Sequence, residues 1–207
     1  LNAESVTIWK DVNGVMSGDP KEFKDAETLS QLSYKEVIEM AYYGAQVIHQ
    51  KTIKPLQNKS IPLYVKCFLD DELTGTVITN TNGKYLPPVK VIKNLQALLT
   101  FQSLDFSFVE GKPVNYLHEL LASLHIKPNL SQNTAISLLI SMDDVDQKLD
   151  QLAAEASSLF DVSIVRNLQL ITIRHYTQEE INKLCANKVI LLEQKTQQTI
   201  QILVQEQ

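Results

Sequence analysis

The sequence predicts a mixed α/β protein in which a short α/β segment is followed by two related α+β repeats. Its 207 residues are enough for two domains of ordinary size. Residues up to 79 follow the order strand, loop, helix, helix, strand, strand, which is typical of an α/β segment. A strand follows at 89–94, the order β-α-β-β-α-β begins at residue 97, and the same order begins again near residue 167.

In the first segment, β-branched and aromatic residues predict strands, and a 3.6-residue apolar period predicts helices. Ser33 and Glu36 have the spacing of a capping box, so a helix is expected to begin there. The predicted elements are a strand at 6–10, helices at 33–50 and 53–58, and strands at 61–68 and 75–78.

The stretch "TNTNGKYLPP" at 79–88 combines Asn, Gly and two prolines, which interrupt regular structure. It predicts a boundary between a first domain, 1–79, and a second region, 80–207.

The second region begins with a strand at 89–94, and one complete β-α-β-β-α-β unit follows, the split β-α-β order of ferredoxin-like sandwiches. The predicted elements of that unit are a strand at 97–107, a helix at 113–124, strands at 126–131 and 135–141, a helix at 143–160 and a strand at 161–166.

A second, shorter unit follows, with a strand at 168–174, a helix at 177–186 and strands at 188–194 and 199–205. It lacks a second helix and a fourth strand, and the strand at 89–94 could supply the missing edge. We therefore expect two intertwined units, the first at about 95–166 and the second at about 167–207 plus 89–94.

Composition excludes several classes of function. The net charge of −5 argues against nucleic-acid binding, which favours a basic face. No apolar run is long enough to span a membrane, and the first ten residues do not resemble a signal peptide. Cys67 and Cys185 are far apart and have no metal-ligand spacing, so they are expected to be reduced packing residues of a cytoplasmic protein. The four histidines have no zinc-ligand spacing either, and we name neither a metal ligand nor a catalytic residue.

Three stretches carry a family resemblance: "WKDVNGVMSGDPK" at 9–21, "LSYKEVIEMAYYGAQVIHQKT" at 32–52 and "IPLYVKCFLDDELTGTVI" at 61–78. Together they resemble the end of the catalytic domain of aspartokinases, which are amino-acid kinases. The two units that follow resemble the tandem regulatory ACT domains of that family, in which the first is inserted into the second. The resemblance implies ATP-dependent phosphorylation of L-aspartate to 4-phospho-L-aspartate, in the biosynthesis of lysine, threonine and methionine.

The resemblance also implies an ATP site, with Asp11 near the ribose and Lys21 near the phosphates. Lys10 stands where the family has threonine, Met16 where it has an adenine-side aromatic, and Gln46 where it has lysine. Lys21 replaces an arginine and loses the bidentate fork. The glycines of this loop are expected to let the backbone approach a ligand closely. The alternative is that residues 11–20 form only a structural turn.

The family's Lys-Phe-Gly-Gly-Thr-Ser phosphate loop and its aspartate-binding groups do not occur in these 207 residues. Since phosphoryl transfer depends on positioning and charge stabilisation, we expect this chain alone to be inactive. ATP with Mg²⁺ is the expected cofactor of the complete enzyme, and L-aspartate is its expected second substrate.

An amino-acid effector, lysine or threonine, is expected at the ACT interface. The resemblance assigns it to Gly111, Lys112, Asn129 and Thr134, and it implies a homodimer. Two other hypotheses about function stay open: the chain is a non-catalytic, amino-acid-binding ACT protein, or it is a plain interaction scaffold.

Overall fold

The computed structural model describes residues 3–45, 48–81 and 85–206. Within these ranges the strands are β1 (Val6–Lys10), β2 (Gln31–Ser33), β3 (Leu63–Cys67), β4 (Thr76–Thr79), β5 (Val89–Ser103), β6 (Pro128–Asn133), β7 (Ser137–Asp143), β8 (Phe160–Arg174), β9 (Lys188–Lys195) and β10 (Thr199–Glu206). The helices are α1 (Tyr34–Tyr42), α2 (Gln50–Asn58), α3 (Lys112–Ser123), α4 (Asp146–Ala156) and α5 (Gln178–Leu184). The mixed α/β class expected from the sequence is confirmed.

The chain forms two compact units. Unit 1 consists of Leu1–Ile92, Thr172–Leu184 and Lys195–Ile200, and unit 2 consists of Lys93–Ile171, Cys185–Gln194 and Gln201–Gln207. The units divide at residue 92, and two later segments return to unit 1. The domain boundary between residues 79 and 80 remains a prediction.

Unit 1 contains a four-stranded sheet in the order β1-β3-β4-β2. β1 runs parallel to β3, β2 runs parallel to β4, and β3 and β4 are antiparallel. Strand β2 was not predicted, because three residues are too short to show an alternating pattern. The core of this unit includes Leu32, Val37, Ile53 and Leu63, none of which is accessible to solvent.

Helix α1 is shorter than the predicted span 33–50. Ser33 caps its start, as predicted, and the Ser33 hydroxyl accepts a hydrogen bond from the Glu36 amide. At its end the amides of Gly44 and Ala45 donate to the carbonyls of Ala41 and Met40, the pattern of a Schellman motif. Gly44 has a φ of 107°, so the chain leaves the helix there.

The second sheet has the strand order β6-β7-β5-β8-β10-β9, and most of its residues belong to unit 2. β7 lies between β5 and β6, and β5 lies between β7 and β8, so both β-α-β crossovers are split, as the sequence predicts. β8, β9 and β10 repeat the first half of this arrangement, and β5 lies on the free side of β8.

Two expected strand breaks are absent. The predicted strands at 89–94 and 97–107 form the single strand β5, and those at 161–166 and 168–174 form the single strand β8. Leu95 and Asn167, which lie between the predicted pairs, have φ values of 52° and 58°. The backbone therefore turns sharply there without losing its place in the sheet.

The main core of unit 2 packs α3 and α4 on the sheet through residues such as Phe101, Leu117, Ile140 and Leu152. Val145 lies inside the predicted helix 143–160, but it is the N-cap of α4 and is 48% exposed. Cys67 is buried in β3, and Cys185, which follows α5, is half-buried; both are free thiols. None of the helices in the described ranges is long and apolar enough to cross a membrane.

Candidate functional site

Unit 1 contains a cleft of about 380 Å³ between the loop after β1, the end of α1 and the start of β5. Lys10, Asp11, Met16 and Lys21, four of the five residues assigned to ATP by resemblance, all line it. The fifth, Gln46, lies outside the described residues. Val89–Ile92 also line this cleft. They are far from residues 10–21 in the sequence, so the sequence did not indicate that they would lie there.

The loop after β1 is held by hydrogen bonds on several sides. The Val15 amide donates to the Thr76 hydroxyl at 2.8 Å, and the Val15 carbonyl accepts from the Leu29 amide at 2.8 Å. The Ser17 amide donates to the Glu27 carbonyl at 2.9 Å. The Ser17 carbonyl accepts from the Lys90 amide at 2.7 Å. These bonds fix the backbone of one cleft wall before any ligand arrives.

The glycines of this loop pack closely against neighbouring protein atoms, and the expectation that they let the backbone approach a ligand remains a prediction. A Cβ on Gly14 would lie 2.6 Å from the Thr76 hydroxyl oxygen, and the φ of Gly14 is 147°. A Cβ on Gly18 would lie 2.6 Å from the Phe23 ring. Both positions therefore require glycine because of neighbouring protein atoms.

The four assigned residues differ in their surroundings. Asp11 and Lys21 are exposed, and the Lys21 amide donates to the Asp19 carboxylate at 2.9 Å. The Met16 sulfur accepts from the Thr28 hydroxyl at 3.3 Å. Lys10 is half-buried at the end of β1, and its carbonyl accepts from the Phe68 amide. The cleft thus combines lysine side chains, which can bind anions, with carboxylates, which can accept from hydroxyls.

Lys90, which the sequence did not single out, also lines the cleft and is only 6% exposed. Its ammonium lies 3.0 Å from an Asp25 carboxylate oxygen and 4.9 Å from the centre of the Phe23 ring. The other Asp25 oxygen accepts from the Lys183 ammonium at 2.7 Å. Hydrogen bonds from Lys183 and Lys90 lower the pKa of Asp25 to about 2.

A second ionic cluster in unit 1 centres on Glu36 of α1 and Arg174 at the end of β8. The guanidinium donates to both Glu36 oxygens, at 2.6 and 2.9 Å, and to the Thr199 hydroxyl at 2.8 Å. The His175 ring nitrogen Nε2 lies 3.1 Å from the same carboxylate. Burial raises the pKa of Glu36, but the hydrogen bonds from Arg174 and His175 outweigh it and lower that pKa to about 2.

In unit 2 the residues assigned to an effector do not meet at one point. Thr134 closes the turn between β6 and β7 through three hydrogen bonds with Ser137, two involving its hydroxyl and one from its amide. The Val109 amide donates to the neighbouring Ala135 carbonyl, so the segment that leads to Gly111 lies at this end of the sheet. Gly111 is the N-cap of α3 and provides no side-chain cap, and Lys112 beside it is exposed.

Asn129 lies at the opposite end of β6. Its amide group donates to Gln96 and Asp143 at 2.8 Å each, and its oxygen accepts from the Lys93 ammonium at 2.9 Å. Burial raises the pKa of Asp143, but hydrogen bonds from Gln96 and Asn129 hold it below its usual range. Asn129 is thus engaged with protein groups, away from Gly111 and Thr134. The effector assignment remains a prediction.

Across the described ranges there is no group of three or more His, Cys, Asp and Glu side chains arranged to hold a metal ion. The carboxylates of the cleft alone therefore do not form a metal cage.

Comparison with known proteins gives a consistent picture. Residues 1–67 match the model of the amino acid kinase family. The chain is 30% identical over 184 residues to lysine-sensitive aspartokinase 3 of Escherichia coli, an alignment that covers 84% of this chain and 40% of that protein. It is 38% identical over 112 residues to a chloroplastic bifunctional aspartokinase/homoserine dehydrogenase of Daucus carota, covering 54% of this chain and 12% of that protein.

Among solved structures, E. coli aspartokinase III in complex with aspartate and ADP matches with a TM-score of 0.81 and 25% identity. The match covers 98% of this chain and 49% of that one. The chain therefore spans less than half the length of each of these relatives.

Proposed function

The chain is similar to aspartokinases of the amino acid kinase family in sequence and in fold, and from this premise we propose that it provides part of an aspartokinase. The reaction is the transfer of the γ-phosphoryl group of ATP to the side-chain carboxylate of L-aspartate, which yields 4-phospho-L-aspartate. In this proposal the chain supplies one side of the nucleotide site and an amino-acid-sensing region for control of lysine, threonine and methionine synthesis. Its place of action would be the cytoplasm.

The observation that supports the proposal most directly is the convergence of Lys10, Asp11, Met16 and Lys21 on one cleft. The cleft volume lies within the range of small-molecule sites. Asp11 is exposed at the cleft and can accept hydrogen bonds from ribose hydroxyls. Lys21, also exposed, can approach phosphate oxygens as a mobile point charge.

Mg²⁺ in this proposal arrives with the nucleotide. Mg²⁺ usually binds protein through one or two carboxylates and takes its other ligands from phosphates and water. Asp11 and Asp19 at the cleft meet that requirement, since no all-protein cage is needed. The ion would neutralise phosphate charge, and the chain's own residues would bind and orient the nucleoside.

The test is ATP and ADP binding to the 207-residue chain, measured by titration calorimetry in the presence of Mg²⁺. Lys21→Met and Asp11→Asn should each weaken binding about fivefold to fiftyfold, since each removes one or two hydrogen bonds to a charged or polar partner. The matched control is Lys112→Met, an exposed lysine of unit 2 that does not line the cleft. If the unmodified chain binds no nucleotide at millimolar concentration, the cleft is not a nucleotide site and residues 11–20 form only a structural turn.

Catalysis is not expected from these residues alone, because a phosphate loop and a clamp for the aspartate substrate are missing from the sequence. A coupled assay for ADP release with aspartate, Mg²⁺ and ATP should give no turnover above background. Turnover by the chain alone would contradict the proposal that it supplies only part of the catalytic site.

A second candidate function is a non-catalytic amino-acid-binding protein. The split β-α-β topology of unit 2 favours it, since this is the arrangement that the sequence resemblance links to ACT regulation. Binding of an amino acid without any binding of nucleotide would favour this candidate over the first.

A further inference from the structure

Lys90 lies between two carboxylates at the back of the cleft. Its ammonium is 3.0 Å from an oxygen of Asp25 and 3.7 Å from the Oε2 atom of Glu180 on α5. The contact with Asp25 is a hydrogen bond, whereas the contact with Glu180 is an ion pair that is too long for a hydrogen bond. Lys90 is therefore bound to one acid and attracted by the other.

The carboxylate of Glu180 has an unsatisfied hydrogen-bond acceptor at this point. Its Oε2 atom is buried and has no hydrogen-bond partner among the described residues. A buried acceptor without a partner costs free energy, and a charged one costs more. A change of less than about 1 Å in the separation of Glu180 and Lys90 would bring the two within charge-assisted hydrogen-bond distance.

The position of Lys90 bears on the shape of the cleft. Its ammonium lies over the Phe23 ring, and that ring fills the space where a side chain on Gly18 would be. Both Phe23 and Gly18 line the cleft. A displacement of the ammonium towards Glu180 would withdraw it from Asp25, two residues after Phe23, and loosen this wall.

Helix α5 contributes to both arrangements. Glu180 competes for Lys90, while Lys183, one turn later on the same helix, binds the second oxygen of Asp25 at 2.7 Å. A shift or rotation of α5 changes both distances together. The helix can thus favour one partner of Lys90 over the other.

We propose that Lys90 is a positioning residue of the cleft, which exchanges between Asp25 and Glu180, and that α5 sets the balance between the two pairs. The Asp25-paired form keeps the Phe23 wall closed and binds nucleotide more tightly. The nucleotide part of this statement rests on the proposed function, whereas the exchange itself does not.

Two isosteric substitutions test the exchange by the sign of their effects. Glu180→Gln removes the competing charge and should tighten ADP binding, while Asp25→Asn removes the observed partner and should weaken it, each by about fivefold. Glu179→Gln, on the exposed neighbouring position of α5, is the control and should leave affinity unchanged. Lys90→Met should weaken binding, and Lys90→Arg should restore most of it.

Amide hydrogen exchange of the nucleotide-free chain gives a second readout. The Phe23 amide donates to the Asp19 carbonyl at 2.8 Å, so its protection reports the closed wall. Exchange there should be faster in Asp25→Asn and slower in Glu180→Gln, with Glu179→Gln like the unmodified chain.

The outcomes separate the two proposals. If the two variants change amide hydrogen exchange in opposite directions and the chain binds no nucleotide, the proposed function is wrong and the change of partner of Lys90 stands. If Asp25→Asn and Glu180→Gln change hydrogen-exchange rates and ADP affinity in the same direction, Lys90 does not change partners and has a purely structural role.

Discussion

Glu36→Gln should strongly destabilise unit 1 at neutral pH and remove part of its acid sensitivity. Glu36 is 3% exposed, and its carboxylate receives two hydrogen bonds from Arg174 and one contact from His175. Glutamine keeps the size of the side chain but removes the charge, so that the guanidinium remains buried with Glu39 as its other acidic neighbour at 3.4 Å.

The magnitude follows from the pKa of Glu36, which falls from 4.5 to about 2 in the folded chain. Because the folded pKa is lowered, the stabilisation is complete above pH 4.5 and is lost as the pH falls towards 2. At about 1.4 kcal/mol per pKa unit, the difference between 4.5 and about 2 corresponds to about 3.5 kcal/mol. Loss of one partner of a buried ion pair typically costs 3–5 kcal/mol, roughly the same size.

Urea denaturation followed by fluorescence is a suitable assay, because Trp9 is the only tryptophan and lies in unit 1. Between pH 5 and pH 2.5 the unmodified chain should lose more stability than Glu36→Gln does. The double variant Glu36→Gln/Arg174→Met should be more stable than the sum of the single effects predicts, since it leaves no buried charge without a partner.

Lys183→Met is the control, because Lys183 and its partner Asp25, which also lie in unit 1, have side chains that are 55% and 48% exposed. Its effect should stay below about 1 kcal/mol, the usual limit for exposed pairs. If Glu36→Gln unfolds at the same urea concentration as the unmodified chain at pH 7, the ion pair does not stabilise the fold and the reasoning fails.

Three further predictions concern other parts of the chain. Gly75→Ala should destabilise unit 1 by about 1–3 kcal/mol, because φ is 69° and the new Cβ would lie 2.2 Å from the Val65 carbonyl oxygen; unchanged urea unfolding would contradict this. Lysine or threonine at about 100 times its Kd should raise Tm by several degrees, and Gly111→Val should abolish the shift; no shift with either amino acid would argue against sensing. The edge strands β6 and β9 of the six-stranded sheet should support a C₂ homodimer, and a light-scattering mass near the 23.4 kDa of the monomer at micromolar concentration would refute it.

Local patterns predicted the fold well where one short-range interaction decides the outcome. The Ser33–Glu36 spacing located the start of α1 because a cap acts over three residues. Gly44 also indicated where this helix ends, because glycine commonly ends helices. The apolar period continues to Ile48, however, and it led to a predicted helix that was too long. The breaks expected around Leu95 and Asn167 were real changes of backbone direction, although neighbouring strands keep the sheet continuous there.

The candidate site was predicted in part, by resemblance more than by chemistry. Residues 10–21 are contiguous, so their shared position at the cleft could be anticipated. Lys90 could not, because its carboxylate partners are 65 and 90 residues away and each lies in an unremarkable stretch of sequence. Asn129 was assigned by resemblance to the same effector site as Gly111 and Thr134. It lies at the end of β6 away from Thr134, in a different polar network, and the assignment remains a prediction.

The two free thiols offer a way to follow α5 without engineering. Cys67 is shielded inside the β3 sheet, whereas Cys185 is half-buried immediately after the last residue of α5. Burial raises the pKa of the Cys185 thiol, so a maleimide dye would attach slowly and mainly at alkaline pH. A single fluorophore would then sit at the end of the helix that carries Glu180 and Lys183, and the native chain could serve as its own spectroscopic sensor.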